Sequence, residues 1–110
     1  MALATAPGYL TPMSEPVTAD REAAARVSDA MQGAYFRGVL ADKRTHLNAE
    51  LGGARNRQKA LVAAGDRFEA HKLQRHVREL EYELFQLNRL IDGLDRRFTD
   101  AWASISRAAE

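Results

Sequence analysis

Hydrophobic positions in the second half of the chain repeat with alternating spacings of four and three. The series runs Leu73, Val77, Leu80, Leu84, Leu87, Ile91, Leu94, Phe98, Ala101 and Ile105, and every member is apolar. With Leu73, Leu80, Leu87, Leu94 and Ala101 as d and the others as a, this is a heptad seam. A seam sustained over more than four heptads predicts coiled-coil packing rather than a helix in an ordinary globular core. The first half shows no such repeat by itself. It reads as helix-compatible from Thr18, a residue suited to the N-cap, with Asp20 and Glu22 in the first turn where the macrodipole favours acids.

Between these halves lies Gly65-Asp66-Arg67-Phe68-Glu69. A glycine that ends one helix, then an Asp with Glu three residues later, combines a C-cap with a capping box, so the chain is expected to reverse here. Folding the sequence about Gly65 and Asp66 opposes positions whose numbers sum to 131. Ala54 then faces Val77, Leu51 faces Leu80, Leu47 faces Leu84, Leu40 faces Ile91, Gly33 faces Phe98 and Ala30 faces Ala101. Arg44 opposite Leu87 and Arg37 opposite Leu94 are the poor rungs, and Phe36 is a candidate to replace Arg37 if the helix is overwound or kinked. A reversal at Gly52-Gly53 instead would set Leu73 against Gln32 and Leu84 against Arg21, a worse register. That glycine pair is expected to kink or break the first helix, since each glycine costs about 1 kcal/mol relative to alanine.

The expected fold is therefore all-α: a long antiparallel two-helix coiled-coil hairpin, completed by oligomerisation or by a partner. Its parts are a flexible N-terminal arm over 1–17, a helix over 18–64, a turn at 65–66 and a helix over 66–108. Pro7, Pro12 and Pro16 motivate the arm, in which Tyr9 and Leu10 are the side chains suited to docking and a disordered tail is the plainer expectation. Each hairpin arm would be roughly 65 Å long at 1.5 Å per residue.

Composition narrows the function. The chain of 110 residues contains no cysteine, which removes disulfides and thiolate metal sites. It has no basic leader at Met1 to Leu10 and no apolar run of the roughly 20 residues that span a bilayer, so no membrane association and a cytoplasmic location are expected. The net charge of +1 conceals a polarity: residues 37–78 carry ten basic and four acidic side chains, whereas residues 1–36 carry two and four and residues 79–110 carry four and seven. In a hairpin this makes a basic turn half and an acidic open half.

Candidate chemistry is sparse. His46, His71 and His76 are scattered, and no Glu-x-x-His element of a di-iron bundle occurs, so no metal or cofactor is expected. No Gly-rich phosphate loop or nucleophile triad is recognisable, and an enzyme is not expected. Tyr35, Val39, Tyr82, Phe85, Leu90 and Trp102 fall outside the seam, with Met31 and Val62, and contiguous exposed apolar surface marks interfaces. These point to a structural or adaptor protein working through coiled-coil and helix-face contacts, with a protein partner or further copies of itself.

The tip supplies the alternative. Arg55, Arg57, Lys59, Arg67, Lys72 and Arg75 surround it, a pattern able to track a phosphate backbone without reading sequence. Asp66 and Glu69 are explained by capping alone. Gly65-Asp66-x-x-Glu69 also resembles, over about five residues, the Gly-Asp-x-x-Glu-Asn turn of the bacterial transcript cleavage factors of the Gre family, whose N-terminal domain is an antiparallel coiled coil. The resemblance implies that Asp66 and Glu69 would enter the secondary channel of RNA polymerase and help to bind its catalytic magnesium. The family's Asn position is Ala70 here, and the aromatic that follows it is absent.

Overall fold

The computed structural model describes residues 6–109, with side chains from Thr18 onward. The described residues form two helices, α1 (Ala6–Ala63) and α2 (Arg67–Ala109). They lie antiparallel as a rod of 95 × 33 × 15 Å. Its radius of gyration, 25.8 Å, is about twice the roughly 13 Å of a compact domain of this length. The accessible surface of 8843 Å² likewise exceeds the roughly 6,000 Å² expected of a compact 12.2 kDa chain. Among the described residues the hairpin has one thin seam and no second layer.

That seam is the one the heptad spacing predicts. Leu40, Leu47, Leu51 and Ala54 of α1 bury against Val77, Leu80, Leu87 and Ile91 of α2, with Leu73, Leu84 and Leu94 partly buried beside them. Contacts across the helices fix the register. Arg37 meets Asp95, Arg44 meets Asn88, Arg55 meets Glu81, Gln58 meets the Ala70 carbonyl and Trp102 meets the Ala30 carbonyl, and each pair sums to within five of 131. In the same register α1 has a positions at 30, 37, 44, 51 and 58 and d positions at 33, 40, 47, 54 and 61.

Towards the open end the packing changes character. Gly33 lies under the Phe98 ring so closely that a Cβ there would stand 2.6 Å from Cε2 and 2.7 Å from Cδ2. The smallest residue is what lets the largest seam side chain insert. Trp102 stacks beside Phe98, ring centroids 5.7 Å apart, and donates its indole N–H to the Ala30 carbonyl at 2.7 Å. The Arg97 guanidinium also lies over the Phe98 ring, 4.8 Å from its centroid.

Three expectations are corrected. The helix does not break at Gly52-Gly53: α1 runs through both, because their neighbours Leu51 and Ala54 are buried in the seam and hold the backbone on either side. Phe36 does not replace Arg37 in the seam, and remains 55% exposed. Arg37 keeps its position, half-buried, by turning its guanidinium sideways to the Asp95 carboxylate, with Nη2 3.1 Å from Oδ2. Arg44 does the same more weakly, donating to Asn88 Oδ1 at 3.4 Å. Finally, α1 starts at Ala6, so Thr18 lies within the helix rather than at its cap. Of the arm expected over 1–17, residues 1–5 lie outside the described residues, as do the side chains of the rest, including Tyr9 and Leu10.

Candidate functional site

At the tip, two caps share one residue. Gly65 adopts a left-handed conformation, φ 81°, which a residue with a Cβ enters only with strain. Its N–H donates to the Val62 carbonyl at 3.0 Å, and the Asp66 N–H donates to the Leu61 carbonyl at 2.9 Å, the bond pair of a Schellman motif. Asp66 then caps α2. Its Oδ1 accepts the Glu69 backbone N–H at 3.1 Å, and its own carbonyl accepts the first helical bond from Ala70. Because the Asp66 N–H is already committed to Leu61, Glu69 has no capping partner to reach back for, and the box forms only on its Asp side. The Glu69 carboxylate turns along α2 to Lys72, 3.4 Å away, and that ammonium also lies 5.4 Å from the centroid of the exposed Phe68 ring.

Around the tip, Arg55, Arg57, Lys59, Arg67, Lys72 and Arg75 are all exposed. They encircle the rod rather than form one patch. Arg55, at an e position, pairs with Glu81 at 3.0 Å on one flank of the hairpin. Arg57, at a g position, lies on the opposite flank, where it borders a groove of about 500 Å³ with Ala60, Leu61, Glu69, Lys72, Leu73 and His76. This groove has an apolar floor of Ala60, Leu61 and Leu73 and a rim on which Arg57, Lys72 and His76 outnumber Glu69. Among the described residues, no three His, Cys, Asp or Glu side chains come together as a metal-binding group.

Apolar candidates divide among different faces. Tyr35 is 75% exposed and lines a shallow groove along α1 with Val27, Met31 and Phe36. Tyr82 and Phe85 are exposed on the outer side of α2, where Arg89 lies 6.0 Å from the Phe85 ring centroid. Val39 and Leu90 are exposed on the flank that carries Arg57, at c and g positions, and Phe36 joins them there at another g position. Trp102 belongs elsewhere: it is half-buried on the opposite flank, tied to Ala30 and Phe98, and serves the hairpin's own packing. Sequence reading missed Phe36 as a surface residue. Its signal was present, since position 36 precedes a seam position just as Leu90 precedes Ile91.

Electrostatically, the ion pair across the open half is the notable feature. The hydrogen bond from Arg37 holds the Asp95 carboxyl below the usual carboxylate range, and the guanidinium is raised in turn by the same bond. Both groups are solvent-accessible, so this is a surface pair rather than a buried one. Among the described residues, no helix is long and apolar enough to cross a membrane. No protein-family model, no curated protein and no solved structure matches the chain.

Proposed function

We propose that the chain is a non-enzymatic structural or adaptor protein of the cytoplasm that works through coiled-coil and helix-face contacts within a larger assembly. One observation carries this reading. A two-helix rod with a single seam leaves Tyr35, Val39, Tyr82, Phe85 and Leu90 between 46% and 75% exposed along a surface 95 Å long. Large apolar side chains in such rows cost free energy in water and recover it when a partner covers them. Light scattering of the wild type and of the Tyr82→Ser, Phe85→Ser double variant tests it. The reading expects a mass above 12.2 kDa, alone or with a protein of its own cell, and reduced assembly when exposed apolar residues are replaced. A monomer that no cellular protein binds would contradict it.

A second reading places function at the tip, as an RNA polymerase or nucleic-acid binding factor. It is favoured by the exposed Arg57, Lys59, Arg67 and Arg75 and by a Glu69 carboxylate that capping leaves unused. Anisotropy titrations with labelled duplex DNA and RNA at several salt concentrations test the electrostatic version, which requires binding that weakens steeply as salt rises. A pull-down with RNA polymerase, with and without Asp66→Asn, tests the version acting through the acidic pair. Absent binding in both experiments eliminates this reading.

A further inference from the structure

The two flanks of the hairpin differ in how their charges are used. On the e flank, Arg55 is paired with Glu81, Arg37 with Asp95 and Arg44 with Asn88, while Trp102 seals the open end. Glu81 and Asp95 of that flank are thereby engaged within the chain. On the g flank no such cross-helix pairs are formed among Arg57, His76, Glu79, Arg97, Asp29 and Asp100, and the exposed apolar residues Phe36, Val39 and Leu90 lie between them.

The order of charges along the g flank is self-complementary. Take a two-fold axis crossing the rod near Lys43 of α1 and Asn88 of α2, and lay a second copy antiparallel on this flank. Along α1, Arg57 and Asp29 are equally far from position 43, so each meets the other across the axis. Along α2, His76 and Asp100 are equally far from position 88, and so are Glu79 and Arg97. These three basic groups each meet an acidic one, while Glu50 meets Phe36, Glu83 meets Gly93 and Lys72 meets Ser104, so that apart from Lys43 no like charges are set together. Gln86 meets Leu90 near the axis, and Phe36, Val39 and Leu90 all lie within seven residues of it. Lys43 alone meets its own copy, with a long side chain that can lean away.

Other arrangements do worse. A parallel pair on the same flank would set Arg57 beside Lys72 and His76 of the other copy, joining two basic ends. An antiparallel pair on the e flank would bring Glu81 against Asp95, like charges equally far from position 88 and already held by Arg55 and Arg37. A flank 95 Å long is large enough to supply the roughly 800 Å² per partner of a stable interface.

We propose that a second copy of this chain covers the g flank in antiparallel orientation, burying Phe36, Val39 and Leu90 in a four-helix assembly whose basic ends lie on the acidic ends of the other hairpin. This rests on the helix-face reading above and names its partner. In such an assembly charge order selects the orientation, and burial of Phe36, Val39 and Leu90 adds to its stability.

The test uses the full chain. Sedimentation equilibrium of the wild type is expected to give twice 12.2 kDa. The Phe36→Asp, Leu90→Asp variant is expected to give a single copy with unchanged helicity, since both side chains are exposed in the lone hairpin. Asp29→Arg and Arg57→Asp should each raise the dissociation constant about tenfold or more, and their combination should restore most of the loss. Because the chain has no cysteine, Asp29→Cys and Arg57→Cys can be mixed and oxidised, and the mixed disulfide should outnumber either homodimer. A wild type that remains a single copy at tens of micromolar overturns this inference, whereas the interaction reading falls only if every other protein partner is absent too. A dimer that ignores the g-flank changes but dissociates with Tyr82→Ser and Phe85→Ser overturns this surface while supporting the reading.

Discussion

The turn half and the open half of the rod use the same register but hold it differently. Near the turn the seam is made of aliphatic layers, Leu47, Leu51 and Ala54 against Leu84, Leu80 and Val77, and the backbone is closed by the Gly65 and Asp66 caps. Towards the open end no cap joins the helices. There a Phe98 ring set into the space above Gly33 does the joining, flanked by Trp102 and Arg97, with the Arg37–Asp95 pair one layer inward. Aliphatic layers tolerate small slips of register. A ring above a glycine does not, because a shift of one residue would drive it into a side chain. The turn sets where the chain reverses, and the Gly33–Phe98 fit sets how the helices are aligned 32 residues away from the glycine of the turn.

Substitutions can break or sharpen this comparison. The largest effect is expected from Leu80→Asp, which sets an unpaired carboxylate at a position now only 5% exposed and costs several kcal/mol. Circular dichroism should show the hairpin unfolded at neutral pH. Retained cooperative melting would mean that the turn-half layers matter less than stated. Next come two glycine replacements of the same kind and opposite sign. Gly33→Ala drives a Cβ into the Phe98 ring, a clash of about 1–3 kcal/mol that outweighs the gain of about 1 kcal/mol in helix propensity, so thermal melting should fall. Gly52→Ala meets nothing within 4 Å and should raise the melting temperature, by about 1 kcal/mol of stability.

Comparable in size to Gly52→Ala but opposite in sign is Asp66→Ala, which removes one cap of α2 for about 1 kcal/mol and leaves the Gly65 bonds in place. The same change at a metal site would alter cation binding, which isothermal titration with magnesium would detect.

The smallest effect is that of Asp95→Asn, and it carries a pH signature. Because Arg37 lowers the folded-state pKa of Asp95, the pair stabilises the hairpin above the unfolded carboxylate value, near pH 4, and this stabilisation is lost as pH falls through the lower folded value. The melting difference between wild type and variant should be constant at neutral pH and shrink in acid. A difference that grows in acid would reverse the assignment.

Much of this architecture is legible in the sequence, for reasons particular to each half. All ten a and d positions of α2 from Leu73 to Ile105 are apolar, so its seam can be read directly. The seam of α1 is interrupted by Arg37, Arg44 and Gln58 and becomes readable only when the chain is folded about Gly65. What was not legible depends on the directions side chains take from the seam. Arg37 and Arg44 look like defects until their guanidinium groups reach the e-position residues Asp95 and Asn88. Trp102 looks like surface until its indole finds the Ala30 carbonyl. Continuity of α1 through Gly52-Gly53 was hidden because local propensity argues for a break, whereas burial of Leu51 and Ala54 decides against it. The candidate surface was half legible: the rows of exposed apolar residues follow from heptad positions, but their division between two flanks needed the cross-helix pairs.

The most direct test of the alignment is nuclear Overhauser contact between the Gly33 α-protons and the Phe98 ring in the folded chain. The account predicts strong cross-peaks and ring-current-shifted Gly33 resonances. Unshifted Gly33 protons, with Phe98 contacts to a different layer of α1, would contradict it.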